Sequence, residues 1–172
     1  MTQTSAISKA GIKYAVTPSS LARDPGYETE TRDCFVQAMM YATGVPYRDA
    51  HKFVSLQFAR KHRKGTCHVK ARMLEIVREQ STIFGYRVFN RAPVPRFTLR
   101  RTRVPFERVK VAVWPTVAES LYTMRTGRFV VCSTSHAWAI IDGVIHDNGV
   151  TGNRTRVTEV YEFIPSSKCT GI

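Results

Sequence analysis

Three side chains in this sequence are of the types that acyl transfer through sulfur requires: Cys34, His136 and Asp147. In that chemistry a thiolate attacks a carbonyl, an imidazole takes the thiol proton and later returns it to the leaving group, and a carboxylate fixes the imidazole tautomer and supports its charged form. Cys34 falls within Thr31-Arg32-Asp33-Cys34-Phe35-Val36-Gln37-Ala38-Met39-Met40-Tyr41-Ala42-Thr43-Gly44, which predicts a helix beginning at the cysteine. Thr31 or Asp33 is the candidate N-cap, and Gly44 followed by Pro46 is a stop signal. A thiol in the first turn sits among unpaired backbone N–H groups and at the positive end of the helix dipole, and both favour thiolate over thiol. The competing role for such a residue is a small buried apolar side chain.

His136 and Asp147 belong to a second motif. Asp142-Gly143 separates two apolar runs, a strong hairpin signal. With a two-residue loop, Ile141 faces Val144 and Trp138 faces Asp147, so His136, Trp138 and Asp147 share one face while Asn148 points to the other. That register selects Asp147 over Asn148 as the partner of His136. The backbone N–H of Cys34 supplies one donor for the oxyanion formed on attack, and Thr29, Thr31 and Gln37 are the candidates for a second. His51, His62, His68 and His146 lack a matching partner, and Cys67 and Cys132 read as inert.

The elements that must position these groups divide the chain into a helical half and a sheet half. A second helix is expected after Pro46, with Ala50, Phe53, Val54 and Phe58 inward and Gly65 as its breaker; a third is expected from Val69 to Glu79. Ile83 to Phe89 has strand composition, and Arg96 to Trp114 reads as extended chain, with Pro95 and Pro105 arguing for edge or irregular positions. Thr116-Val117-Ala118-Glu119 is a capping box opening a helix that Gly127 ends. Arg128 to Ser133 is a buried strand, and Arg156 to Ile164 a last strand completing the sheet. Residues 1–26 read as a loosely ordered arm, in which Ile12 to Val16 has the pattern of an edge strand. The expectation is one α+β domain over 1–172. Its N-terminal helices (27–80, with the nucleophile) pack on a C-terminal antiparallel sheet (83–164, with the histidine and aspartate).

Charge is the strongest compositional fact. Against 13 acidic residues stand 26 Lys and Arg, a net +13 in 172 residues. The cations concentrate at Arg60, Lys61, Arg63 and Lys64, and again from Arg96 through Arg100, Arg101, Arg103, Arg108 and Lys110. Arg60, Lys61, Arg63, Lys64, Arg100, Arg101 and Arg103 are therefore the candidate contacts to nucleic acid, a ribosome or another acidic partner. No stretch approaches the roughly 20 apolar residues of a membrane span, and the N-terminus has no secretory h-region, so a cytoplasmic protein without membrane partners is expected. The four cysteines form no CxxC pair; free thiols, no metal and no other cofactor are the expectation.

Two segments, RDCFVQAMMYATGVPYRDAHKF and PTVAESLYTMRTGRFVVCSTSHAWAIIDGVIHDNG followed by RVTEVYEF, resemble a group of small bacteriophage and prophage cysteine peptidases related to the peptidase domains of bacteriocin exporters. The resemblance covers about two-thirds of the chain. It implies a papain-like fold, with Cys34 as nucleophile, His136 as general base and Asp147 as orienting acid. It also implies a protein or peptide substrate and, for a phage-encoded chain, the host cytoplasm. The basic stretch between Arg96 and Lys110 departs from that group. The alternative is a catalytically silent protein of the same fold that holds a polyanion through its basic surface.

Overall fold

The computed structural model describes residues 5–9, 12–61, 63–66, 69–91, 93, 95–101, 108–149, 151–152 and 154–168. The strands are β1 (Ser5–Lys9), β2 (Ile12–Val16), β3 (Thr82–Ile83), β4 (Tyr86–Asn90), β5 (Arg96–Arg101), β6 (Arg108–Val113), β7 (Arg128–Cys132), β8 (Ala137–Ile141), β9 (Val144–Asp147) and β10 (Glu159–Pro165). The helices are α1 (Ser19–Ala22), α2 (Cys34–Thr43), α3 (Tyr47–Gln57), α4 (Val69–Arg78) and α5 (Val117–Leu121). Eight strands form one sheet in the order β1-β2-β9-β8-β7-β10-β4-β3, and β5 pairs with β6 in a separate two-stranded ribbon.

The α+β class stands, with helices packed on the sheet. The sheet, however, is mixed rather than antiparallel, and it is not confined to the C-terminal half. β2 runs parallel to β9, with Tyr14 opposite Ile145 and Val16 opposite Asp147. Residues 12–16 are thus an interior strand between β1 and β9 rather than the edge of a loose arm, and Ile12 and Tyr14 are buried. Two further differences concern the far side of the sheet. Ile83 to Phe89 is not one strand but the hairpin β3–β4, turned at Phe84 and Gly85 with φ of 49° and 79°. The last strand, β10, begins at Glu159 rather than Arg156 and lies between β7 and β4.

Alternation along the central strands sorts side chains onto two faces. Val130 and Cys132 of β7, Ala137 and Ala139 of β8, and Tyr161 and Phe163 of β10 join the cluster with Phe35, Met39, Val54 and Met73 from the helices. Their neighbours Phe129, Val131, Trp138, Ile140 and Val160 pack on the other face with Ile12, Tyr14, Val117 and Ile145. The small side chains of Ala137, Ala139, Ala38 and Ala42 let α2 lie close on β8, the strand that His136 precedes.

Candidate active site

The helix that carries Cys34 begins at that residue and ends at Gly44, whose left-handed φ of 75° suits glycine and whose N–H donates to the Met40 carbonyl. Asp33 occupies the N-cap position, but its carboxylate makes no capping bond. It accepts instead from Arg23 Nε and Nη2 at 2.9 and 3.1 Å and from the Tyr47 hydroxyl at 2.7 Å. Burial alone would raise the Asp33 carboxyl, but the hydrogen bonds from Arg23 and Tyr47 outweigh it and hold the group below the usual carboxylate range. Two consequences follow for the nucleophile. The chain before Cys34 is pinned by a paired, buried carboxylate, and the first-turn N–H groups of α2, that of Cys34 included, are left uncapped by the side chain beside them.

His136 ends the turn Ser133-Thr134-Ser135-His136. The turn is closed by Ser133 N–H donating to the His136 carbonyl at 2.8 Å and by His136 N–H donating to Ser133 Oγ at 3.1 Å. The hairpin that follows has the expected register, with Ala139 opposite His146, Ile140 opposite Ile145 and Ile141 opposite Val144. Asp142 and Gly143 form its turn at φ of 48° and 77°. The ring of His136 stacks on Trp138 with centroids 5.8 Å apart, and its Nε2 lies 2.9 and 3.0 Å from the two carboxylate oxygens of Asp147. With Nε2 engaged there, Nδ1 is the ring nitrogen left to face the Cys34 thiol, which lines the same cleft. The bond to Asp147, then the Cys34 thiol, raise the His136 pKa to about 10 against the opposing effect of burial. The imidazolium is therefore the stable form at neutral pH.

Asp147 is 4% exposed and is itself held. Oδ1 accepts from the Asn148 backbone N–H at 2.7 Å, Oδ2 accepts from the Thr151 hydroxyl, and the Thr151 carbonyl accepts from Tyr14 OH at 2.7 Å. The β2 strand thereby braces the acid from behind. Cys34 and His136 line a cleft of about 1120 Å³ walled also by Val69, Trp114 and Glu159, and Asp147 holds the His136 ring from the buried side.

The basic candidates fare differently. Arg60 is not a surface cation: its side chain is 0% exposed, and Nη2 donates to Glu30 Oε2 at 2.7 Å and to the Thr31 carbonyl at 3.1 Å. Glu30, 2% exposed, also lies 3.2 Å from His51 Nε2, which is 2.9 Å from Arg60 Nη1. Arg63 binds the same loop, its Nε donating to the Thr29 carbonyl at 3.1 Å. The chain after α3, turned at Ala59 with φ of 48°, is thus clamped onto residues 29–31 just ahead of Cys34, and a charged residue so buried is kept by its partner. Lys61, Arg63 and Lys64 are exposed. Arg100 and Arg101 lie on β5, opposite Val109 and Arg108 of β6. Arg103, His62, His68, Cys67 and Cys169 lie outside the described residues.

Of the remaining candidates, Cys132 is buried, which pushes its thiol well above the ordinary range. His146 contacts Tyr41, away from His136, and burial followed by the Arg128 charge lowers it. Among the described residues no group of three or more His, Cys, Asp or Glu suits a metal ion, and no helix is long and apolar enough to cross a membrane. Sequence reasoning did not foresee Thr151 and Tyr14 behind Asp147, or Ser19 on the cleft wall; Tyr14 and Ser19 meet the site from more than ten residues away, and Thr151, four residues after Asp147, lies in a loop with no periodic pattern. No family model, curated protein or solved structure matches the chain.

Proposed function

We propose that this protein is a cysteine-dependent amide hydrolase, most simply a peptidase, on a papain-like arrangement of helix and sheet, as its resemblance to phage cysteine peptidases implies. The observation that carries the reading is His136 hydrogen-bonded to a buried carboxylate and lining one cleft with a first-turn helical thiol that raises its pKa. In this reaction the proton of the Cys34 thiol already rests on His136 Nδ1, and the thiolate of that ion pair attacks the carbonyl carbon. A C–S bond forms as the C=O π pair moves to oxygen, giving an oxyanion that accepts the Cys34 backbone N–H. Collapse of that intermediate breaks the C–N bond, and the imidazolium gives its proton to the departing amine. Water, deprotonated by His136, then attacks the thioester, the C–S bond breaks, and the thiolate–imidazolium pair is restored. Asp147 stays ionised throughout and holds the ring in the orientation that both transfers need.

The reading is tested with p-nitrophenyl acetate, an acyl donor that demands no particular side-chain recognition. Nitrophenolate is expected in a burst equimolar with protein, with the acetyl group found on Cys34 by mass spectrometry and the burst lost in Cys34→Ala. A burst that survives Cys34→Ala, an acetyl group found on Cys132 instead, or no acylation of a folded protein contradicts it.

A further inference from the structure

We infer that the Ser19 hydroxyl is the second hydrogen-bond donor to the oxyanion, an assignment that rests on the thiol-hydrolase reading and names a residue which that reading lacks. Ser19 opens α1 and lines the cleft together with Cys34 and His136. Its oxygen accepts two N–H groups: Gln37 Nε2 at 2.9 Å and Asn148 Nδ2 at 3.0 Å. A hydroxyl has two acceptor lone pairs and one proton. With both lone pairs used, the proton is the one part of the group left to serve, and among the described residues no protein acceptor takes it.

The two partners say where that proton sits. Gln37, 2% exposed, lies one turn beyond Cys34 on α2, and Asn148 directly follows Asp147. Ser19 is thus tied on one side to the helix of the nucleophile and on the other to the strand of the acid, on the wall of the space they share. Two N–H donors also polarise the oxygen they bond to, and chains of hydrogen bonds strengthen the next donor in line. Fixed in this way, the hydroxyl needs no reorganisation when charge develops on the substrate oxygen, which is the property that makes such donors effective.

The three donors suggested by the sequence are otherwise committed or misplaced. The Thr31 hydroxyl donates to the Arg63 carbonyl at 3.2 Å. The Gln37 amide nitrogen donates to Ser19, and neither Gln37 nor Thr29 lines the cleft.

The test compares two reagents at the same sulfur. Iodoacetamide alkylates by displacement and develops no oxyanion, whereas p-nitrophenyl acetate acylates through one. Ser19→Ala is expected to slow acetylation of Cys34 by roughly 10²-fold or more, leave alkylation within about twofold, and keep the parent's circular dichroism; Ser19→Thr, which retains the hydroxyl, is expected to recover most of the loss. Equal acetylation rates in Ser19→Ala and parent overturn the assignment while leaving the hydrolase reading intact. A matched fall in both reactions overturns it as well, since it makes Ser19 a support for Gln37 and α2 rather than a donor. If the parent itself is alkylated at Cys34 but never acetylated, the hydrolase reading fails and the donor role falls with it.

Discussion

Replacing His136 with alanine is expected to slow acetylation of Cys34 at neutral pH by roughly 10²- to 10⁴-fold, the range spanned by a lost general acid–base group. The side chain is 30% exposed, stands before β8 and belongs to neither core, so its removal costs the cores only the stacking contact with Trp138. The loss is therefore chemical. Asp147→Asn is expected to act in the same direction through His136: it keeps the volume but removes the charge that raises the ring's pKa, and it turns one of the two oxygens facing the ring N–H into an N–H donor. Stopped-flow measurement of nitrophenolate release checks both variants. Acetylation of either within about threefold of the parent would remove the imidazole from the mechanism.

The second large effect concerns folding. Arg60→Ala is expected to destabilise the protein by about 3–5 kcal/mol, the cost of leaving a buried charge without its partner. Glu30 is enclosed by Arg60, His51 and the Arg63 backbone N–H, which donates to it at 3.2 Å. His51 sets the pH dependence of this loss. Burial, then the Arg60 charge, lower its pKa, while Glu30 acts to raise it. Without Arg60 the Glu30 carboxylate draws His51 upward, and a protonated His51 then replaces part of the missing charge. The deficit should accordingly be smaller below about pH 6 than above about pH 7, on either side of the ordinary histidine value. Urea denaturation of parent and variant at both pH values measures this. A change under about 1 kcal/mol at each would mean that Arg60 is a solvated cation after all.

Arg60 also shows why part of the site was hidden in the sequence. Arg60-Lys61-His62-Arg63-Lys64 has the appearance of a solvated basic face, and for Lys61 and Lys64 exposure agrees. What buries Arg60 is a single acid thirty residues earlier, and no local pattern links the two. The interior position of β2 was hidden for a related reason: parallel pairing of Ile12–Val16 with β9 joins residues some 130 apart, and a five-residue strand reads the same at an edge or inside. The β3–β4 turn was missed because it places Phe84 at positive φ, a conformation that a bulky aromatic seldom adopts. The legible parts were those with local chemistry. Asp142-Gly143 dictated the hairpin register and hence the pairing of His136 with Asp147. Gly44 after an apolar run placed the end of α2, and Thr116 with Glu119 formed the reciprocal cap of α5. Both halves of the candidate triad rest on such signals; their meeting in space rests on α2 packing over Ala137 and Ala139, which only the fold reveals.

The central claim is that one imidazole is shared between sulfur and carboxylate, and NMR titration of the His136 ring nitrogens tests it most directly. In the parent the ring should remain imidazolium through neutral pH and lose its proton near pH 10. Because that value lies above the roughly 6.5 of an unfolded histidine, the stabilisation from the contact is fully present below about 6.5 and is lost as pH rises through about 10. Asp147→Asn and Cys34→Ala should each move the titration down toward about 6.5, the aspartate replacement by more. A parent His136 that titrates near 6.5, at a pH neither substitution changes, would contradict the account.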